Sequence, residues 1–204
     1  DYDFTLRFME HSDNKRVGHI DKILYHWRER KESVASNIDA KGYALDAARR
    51  AKEDMLKRRG LNGSVTYVDN VFQYRIVYKP SKDSLVSIII PSKDNPDYLF
   101  RCISSIEKFN DDVNYEIVLV DNGSIKSNKH KIEEFINDKP IKYIYESSEF
   151  NYSHMCNLGA DNSAGDFLLF LNDDIEAFSE NWLSNMLGQA ELDYVGAVGA
   201  KLYY

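Results

Sequence analysis

The chain has 204 residues, 33 acidic and 26 basic side chains, and a formal net charge of −7. That balance excludes a general nucleic-acid-binding surface, which needs a basic face, and no apolar run reaches the ~20 residues of a membrane-spanning helix. Two cysteines, Cys102 and Cys156, make no disulfide framework and suit a reducing, cytoplasmic setting.

Residues 1–84 are charged and weakly periodic. Tyr2 to Glu10 predicts one or two helical turns, and Val17 to Trp27 a short strand pair or extended segment. Tyr43 to Arg59 predicts a helix with Ala44, Ala47, Ala48, Ala51, Met55 and Leu56 on one side, stopped by Gly60. Val65–Val68 and Phe72–Tyr78 predict a hairpin around Asp69-Asn70, and 80–84 a linker. The chain lacks an initiator Met and opens inside what reads as a motif, so a piece of a longer protein is expected.

From Leu85 the character changes to apolar strands alternating with amphipathic helices. Leu85–Ile90 is a β-branched strand that Pro91 is expected to stop. Leu99, Cys102, Ile103 and Ile106 mark one face of a helix from Tyr98 to Phe109. Tyr115–Val120 is the next strand, Lys129–Asn137 a short helix, Ile141–Tyr145 a third strand, and Ser153–Ala160 a further helix. Phe167–Leu171 reads as a buried fourth strand. Ser179 is expected to cap a helix carrying Trp182, Leu183, Met186 and Leu187, and Val195–Leu202 is a last extended segment. Such alternation predicts an α/β fold: a mostly parallel sheet with flanking helices.

Three of these strands end in polar turns: Pro91-Ser92-Lys93-Asp94-Asn95, Asp121-Asn122-Gly123-Ser124 and Asn172-Asp173-Asp174. In a parallel sheet the carboxyl ends of strands share the edge where ligands bind. Adjacent carboxylates such as Asp173 and Asp174 repel unless a positive charge sits near them, and a divalent cation with a phosphate-bearing ligand meets that need. Each turn alone also reads as ordinary loop chemistry. No Gly-x-Gly-x-x-Gly and no P-loop is present, which weighs against dinucleotide oxidoreductases and P-loop kinases.

Leu85–Asn95, then Glu116–Ser124, then Phe150-Asn151-Tyr152-Ser153 with Asn157-Leu158-Gly159-Ala160, then Ala164-Gly165-Asp166 running into Phe167–Asp174, together resemble the family-two inverting glycosyltransferases. The resemblance covers about residues 85–204. It implies the GT-A fold, a nucleoside-diphosphate-sugar donor (UDP- or dTDP-sugar), Mn2+ or Mg2+, and a glycan or lipid-linked glycan acceptor. It also implies a hexosyltransferase activity in bacterial surface polysaccharide synthesis, cytoplasmic or peripheral to the inner membrane. By the same resemblance Asp121 is the base-contacting acid, and Pro91 and Ser92 form the loop beneath the nucleobase. Asp94, Asn122 and Asn157 join the donor pocket with the Phe150–Ser153 stretch. Asn172-Asp173-Asp174 stands for the family's Asp-x-Asp, with Asp173 toward the ribose and Asp174 as metal ligand.

The start of the chain, Asp1-Tyr2-Asp3-Phe4-Thr5-Leu6-Arg7, resembles the family's general-base stretch, which lies downstream in the acceptor half. Residues 1–40 are therefore expected to be the acceptor-side tail of a preceding module, 41–84 a helix, hairpin and linker, and 85–204 the nucleotide-binding half of a second module. On that expectation Asp1 or Asp3 is the base and His26 a metal or diphosphate ligand. The competing expectation is a piece that binds the nucleotide sugar without catalysis.

Overall fold

The computed structural model describes residues 2–12, 18–26, 42–68, 73–109 and 113–203. They fall into two compact units, divided between Lys79 and Pro80. Among the described residues no helix is long and apolar enough to cross a membrane.

The first unit contains helix α1 (Tyr2–Glu10), helix α2 (Gly42–Arg58) and an antiparallel pair, β1 (Gly63–Val68) and β2 (Gln73–Tyr78). Helix α2 buries Ala51, Met55 and Leu56 of the expected apolar stripe, whereas Ala44 and Ala48 are half-buried and Ala47 is exposed. It stops at Gly60, whose φ of +64° is strained for any residue with a Cβ. The expected turn residues Asp69-Asn70 lie outside the described residues. No strand forms among residues 18–26, where Ile20, Ile23, Leu24 and Tyr25 are all exposed.

The second unit is a four-stranded parallel sheet, order β5-β4-β3-β6, formed by β3 (Leu85–Ser92), β4 (Asn114–Asp121), β5 (Ile141–Tyr145) and β6 (Phe167–Phe170). Helices α3 (Pro96–Lys108), α4 (Lys126–Ile136), α5 (Tyr152–Asp161) and α6 (Trp182–Ala190) cover it on both faces. Period-two alternation divides the core. Val86, Ile88, Ile90, Ile117 and Leu119 pack with α3, α4 and α6, whereas Ile89, Val118 and Val120 pack with Met155 of α5. Each such side chain contributes about 1.5–3 kcal/mol on burial. Helix α5 lies so close to the sheet that a Cβ on Gly159 would stand 2.4 Å from Ile89 Cγ2.

Three local expectations need correction. Pro91 does not stop β3, which runs on to Ser92. Ile89 O accepts from Leu171 N on the β6 side and Ser92 O from Asn122 N on the β4 side. Pro91 therefore faces β6, whose ladder ends at the Ile89–Phe170 pair, so its missing N–H breaks no ladder bond. Strand β6 is only half buried, with Leu168 45% and Phe170 46% exposed, because it is the sheet's edge among the described residues. The cap of α6 is Asn181 at φ +58°, a conformation Asn tolerates, rather than Ser179. Residues 195–203, expected to be an extended segment, join no sheet.

From β3 the chain proceeds outward through β4 and β5, then returns past β3 to lay down β6 on its other side. The carboxyl ends of β3 and β6 thus flank a topological switch point, the place where open parallel sheets hold ligands.

Candidate active site

The loops after β3 and β6 meet at that switch point. Ser92 Oγ donates to Asp173 Oδ2 at 2.7 Å, and Asn95 adds a further hydrogen bond to the same carboxylate. Burial pushes the Asp173 carboxyl above the usual aspartate range, and the neighbouring Asp174 charge pushes it the same way, against the two hydrogen bonds. A cavity of about 290 Å3 opens here, walled by Pro91, Ser92, Lys93 and Asn95 on one side and by Asn172, Asp173 and Asp174 on the other. Phe150, Tyr152 and Met155 close it, and Tyr152 donates its hydroxyl to Asn172 Oδ1 at 3.2 Å.

Other expected site residues lie elsewhere. Asp121 is fully buried and its carboxylate is already engaged: Oδ1 accepts the Ser124 N–H at 2.8 Å and Oδ2 the Tyr143 hydroxyl at 2.6 Å. Burial and this bond raise the Tyr143 phenol far above its usual range. Asn122, next to it, donates Nδ2 to the Ser148 carbonyl at 3.0 Å, but its buried Oδ1 has no partner. Asp94 (φ +52°) ties two loops together, accepting from Ile125 N–H at 2.8 Å and Asn128 Nδ2 at 3.0 Å. Those bonds hold its carboxyl below the usual range. Asn157 is exposed on α5 and does not line the cavity.

In the first unit, Asp3 Oδ2 pairs with Arg7 Nε at 2.8 Å and Oδ1 stands 4.0 Å from an Arg58 nitrogen. His26 is exposed, and Asp1 lies outside the described residues.

Lys93 and Asn95 stand in the polar turn after β3 without an expected role of their own, and Met155 stands in no motif. Lys93 and Asn95 follow directly on a strand that ends at the ligand edge, which is the signal for them. Met155 reads as helix core and carries no signal of its own.

Two larger cavities, about 440 and 500 Å3, flank β6 but are lined mainly by apolar side chains, with one carboxylate each. Among the described residues no three His, Cys, Asp or Glu side chains cluster as a ready metal site. Asn172, Asp173 and Asp174 instead offer a few hard oxygen donors in an open cavity. That suits a cation that keeps several waters and binds through one or two carboxylates plus ligand phosphates, as Mg2+ does.

A parallel sheet with helices on both faces and an acidic loop at its switch point is the architecture of a GT-A glycosyltransferase. The mannosyltransferase PcManGT of Pyrobaculum calidifontis, solved in complex with GDP-Man and Mn2+, shares the fold: TM-score 0.52 at 16% identity, over 78% of this chain and 46% of that one. The model of the family described as Glycosyl transferase family 2 matches residues 87–204, and the chain belongs to that family. It is 37% identical over 209 residues to y4gI, an uncharacterized protein of Sinorhizobium fredii. It is also 34% identical over 204 residues to the O-antigen biosynthesis protein RfbC of Myxococcus xanthus. Both alignments take in the whole of this chain, which spans 23% and 16% of the length of those relatives.

Proposed function

We propose that residues 80–204 form the donor-binding half of a metal-assisted, inverting sugar transferase, with the nucleoside diphosphate held between β3 and β6. The observation that carries this reading is the Ser92–Asp173 bond, which joins the two loops across the switch point and leaves Asp174 exposed in the same cavity. Asp174, with Asp173 and Asn172 beside it, would hold Mn2+ or Mg2+. Such an ion, when bound, offsets the charge that develops on a departing diphosphate. The chain's own side chains supply the rest. Lys93 adds a cation at the cavity, Phe150 and Tyr152 give it a flat aromatic wall, and Ser92 and Asn95 fix the Asp173 carboxylate.

Asp121 and Asn122 are both buried at the end of β4 and neither lines the cavity, so a base contact there needs the turn after β4 to open. Asn122 then offers an acceptor without a donor, which the ring N–H of uracil or thymine satisfies, and each Asp121 oxygen keeps a lone pair beyond the one bond it accepts. The donor is then a UDP- or dTDP-sugar. The likeness to an O-antigen biosynthesis protein supports a bacterial surface polysaccharide as the product, with a glycan or lipid-linked glycan as acceptor. On the same reading, residues 1–40 are the acceptor-side tail of a preceding module, in which Asp1 or Asp3 acts as base and His26 meets the metal or diphosphate. Residues 41–84 connect the modules.

Calorimetry with UDP, dTDP and GDP, each with and without MnCl2, tests the reading. Tight binding of UDP or dTDP that requires Mn2+ supports it, and Mn2+-independent or absent binding refutes it. One observation favours a second reading, binding without turnover: Asp173 and Asp174 are the only carboxylates lining the cavity among the described residues, and both are assigned above to the metal and the donor, which leaves no base. Release of UDP from a UDP-sugar by the 204-residue chain would exclude that second reading.

A further inference from the structure

Helix α3 does more than fill the core. Its buried face runs beneath the acidic loop that follows β6 and holds that loop at both ends. Cys102, fully buried, donates its thiol to the carbonyl of Asn172, with an S···O distance of 3.7 Å. One turn later Ser105 donates Oγ–H to the Cys102 carbonyl at 2.7 Å and accepts the N–H of Ala177 at 2.9 Å. Asn172 and Ala177 bracket Asp173 and Asp174. Between them the loop has one backbone bond of its own, a long one from Ile175 N to Asn172 O at 3.4 Å.

A loop so weakly self-supporting, with two adjacent carboxylates that repel each other, depends on bonds from outside it: Ser92 and Tyr152 hold Asp173 and Asn172 at the cavity, and α3 holds the two ends from below. The back-bond to Cys102 O already satisfies the Ser105 hydroxyl as a donor. Its second bond, to Ala177, is therefore not needed for burial and serves the loop instead. On the solvent side Arg101 stands 3.5 Å from Glu176.

We propose that Cys102 and Ser105 are positioning residues: they clamp the Asn172–Ala177 loop from below and so set Asp173 and Asp174 in the arrangement that accepts a divalent cation with a nucleoside diphosphate. The clamp is a property of the loop itself, whereas its consequence for ligand binding rests on the donor-site reading above.

Two readouts on the 204-residue chain separate these levels: amide hydrogen exchange at Ala177, and calorimetry with UDP, dTDP and GDP in the presence and absence of MnCl2. One lost hydrogen bond shifts an equilibrium by roughly two- to tenfold. Ser105→Ala is expected to speed Ala177 exchange and weaken Mn2+-dependent nucleotide binding by about that factor. Ser105→Thr, which keeps the hydroxyl, should restore both. Cys102→Ser keeps a donor and should stay near wild type, whereas Cys102→Ala should behave like Ser105→Ala. Unchanged Ala177 exchange in Ser105→Ala overturns the clamp. Faster exchange with unaltered Mn2+-dependent affinity overturns the positioning role. If wild type binds none of the nucleotides, the donor reading and the positioning role both fall, while the exchange result still decides the clamp. The threonine and serine variants keep the result interpretable should either alanine variant fold poorly.

Discussion

The polar turns at the carboxyl ends of β4 and β6 belong to the same parallel sheet and both carry adjoining Asn and Asp residues, yet they are opposite in character. At the end of β4 Asp121 is fully buried and satisfied by the fold, by the Ser124 N–H of its own turn and the Tyr143 hydroxyl of β5. In the β6 loop Asp173 receives hydrogen bonds from the β3 loop but remains strained by burial and by its neighbour, and Asp174 stays exposed. A carboxylate balanced by its own surroundings organises structure. One left electrostatically short is where an external cation finds work to do.

The largest effect should come from removing the unbalanced charge. Asp174→Ala is expected to lower Mn2+-dependent nucleotide affinity on the order of 100-fold, about 2.7 kcal/mol, while the melting temperature holds. Calorimetry beside a thermal melt checks it, and unchanged affinity would erase the contrast between the loops. Asp121→Ala should do the reverse. It strands two buried donors, so the fold should lose about 2–4 kcal/mol in denaturant unfolding; a stability change near zero would mean that Asp121 is not the structural member of the pair.

The third effect is on pH. A raised native-state pKa means that the folded protein holds the Asp173 proton more tightly than the unfolded chain does. The ionised form therefore costs stability that appears as pH rises from the ordinary aspartate value of ~3.9 through the raised native one, and is absent below it. Asp173→Asn should accordingly gain stability over wild type as pH rises through that window, measured as the difference of the two melting curves. Mn2+-dependent binding to wild type should weaken on acidification at a higher pH than an ordinary aspartate would dictate. The smallest effect is expected of Ser92→Ala. It removes one hydrogen bond from Asp173 and should weaken Mn2+-dependent binding only about threefold, with a further rise in the pH at which binding fades.

Much of the second unit was legible in the residues. Strands separated by helices with Leu99, Cys102, Ile103 and Ile106 on one stripe follow from hydrophobic period alone, and α3 buries all four. That Ser92, Asn172, Asp173 and Asp174 share one edge followed from parallel topology. What eluded reading is of another kind. Asp94 and Asp121 look like Asp173 in sequence, but their partners are Asn128, Ile125 and Tyr143, in other segments of the chain. Pro91 looks like a strand stop, and is not, because β6 ends where the proline would have needed a bond. Phe167–Leu171 looks fully buried, and is not, because burial of an apolar run depends on which neighbours cover it.

The sequence by itself determined the order of strands and helices, their inward faces and the edge at which polar loops gather, since periodicity and strand polarity are properties of neighbouring residues. Only the tertiary structure decided which of those polar side chains are buried and bonded within the fold and which stay exposed at the cavity. That choice turns on hydrogen-bond partners and burial supplied by residues far along the chain, such as Ser92 for Asp173 and Tyr143 for Asp121.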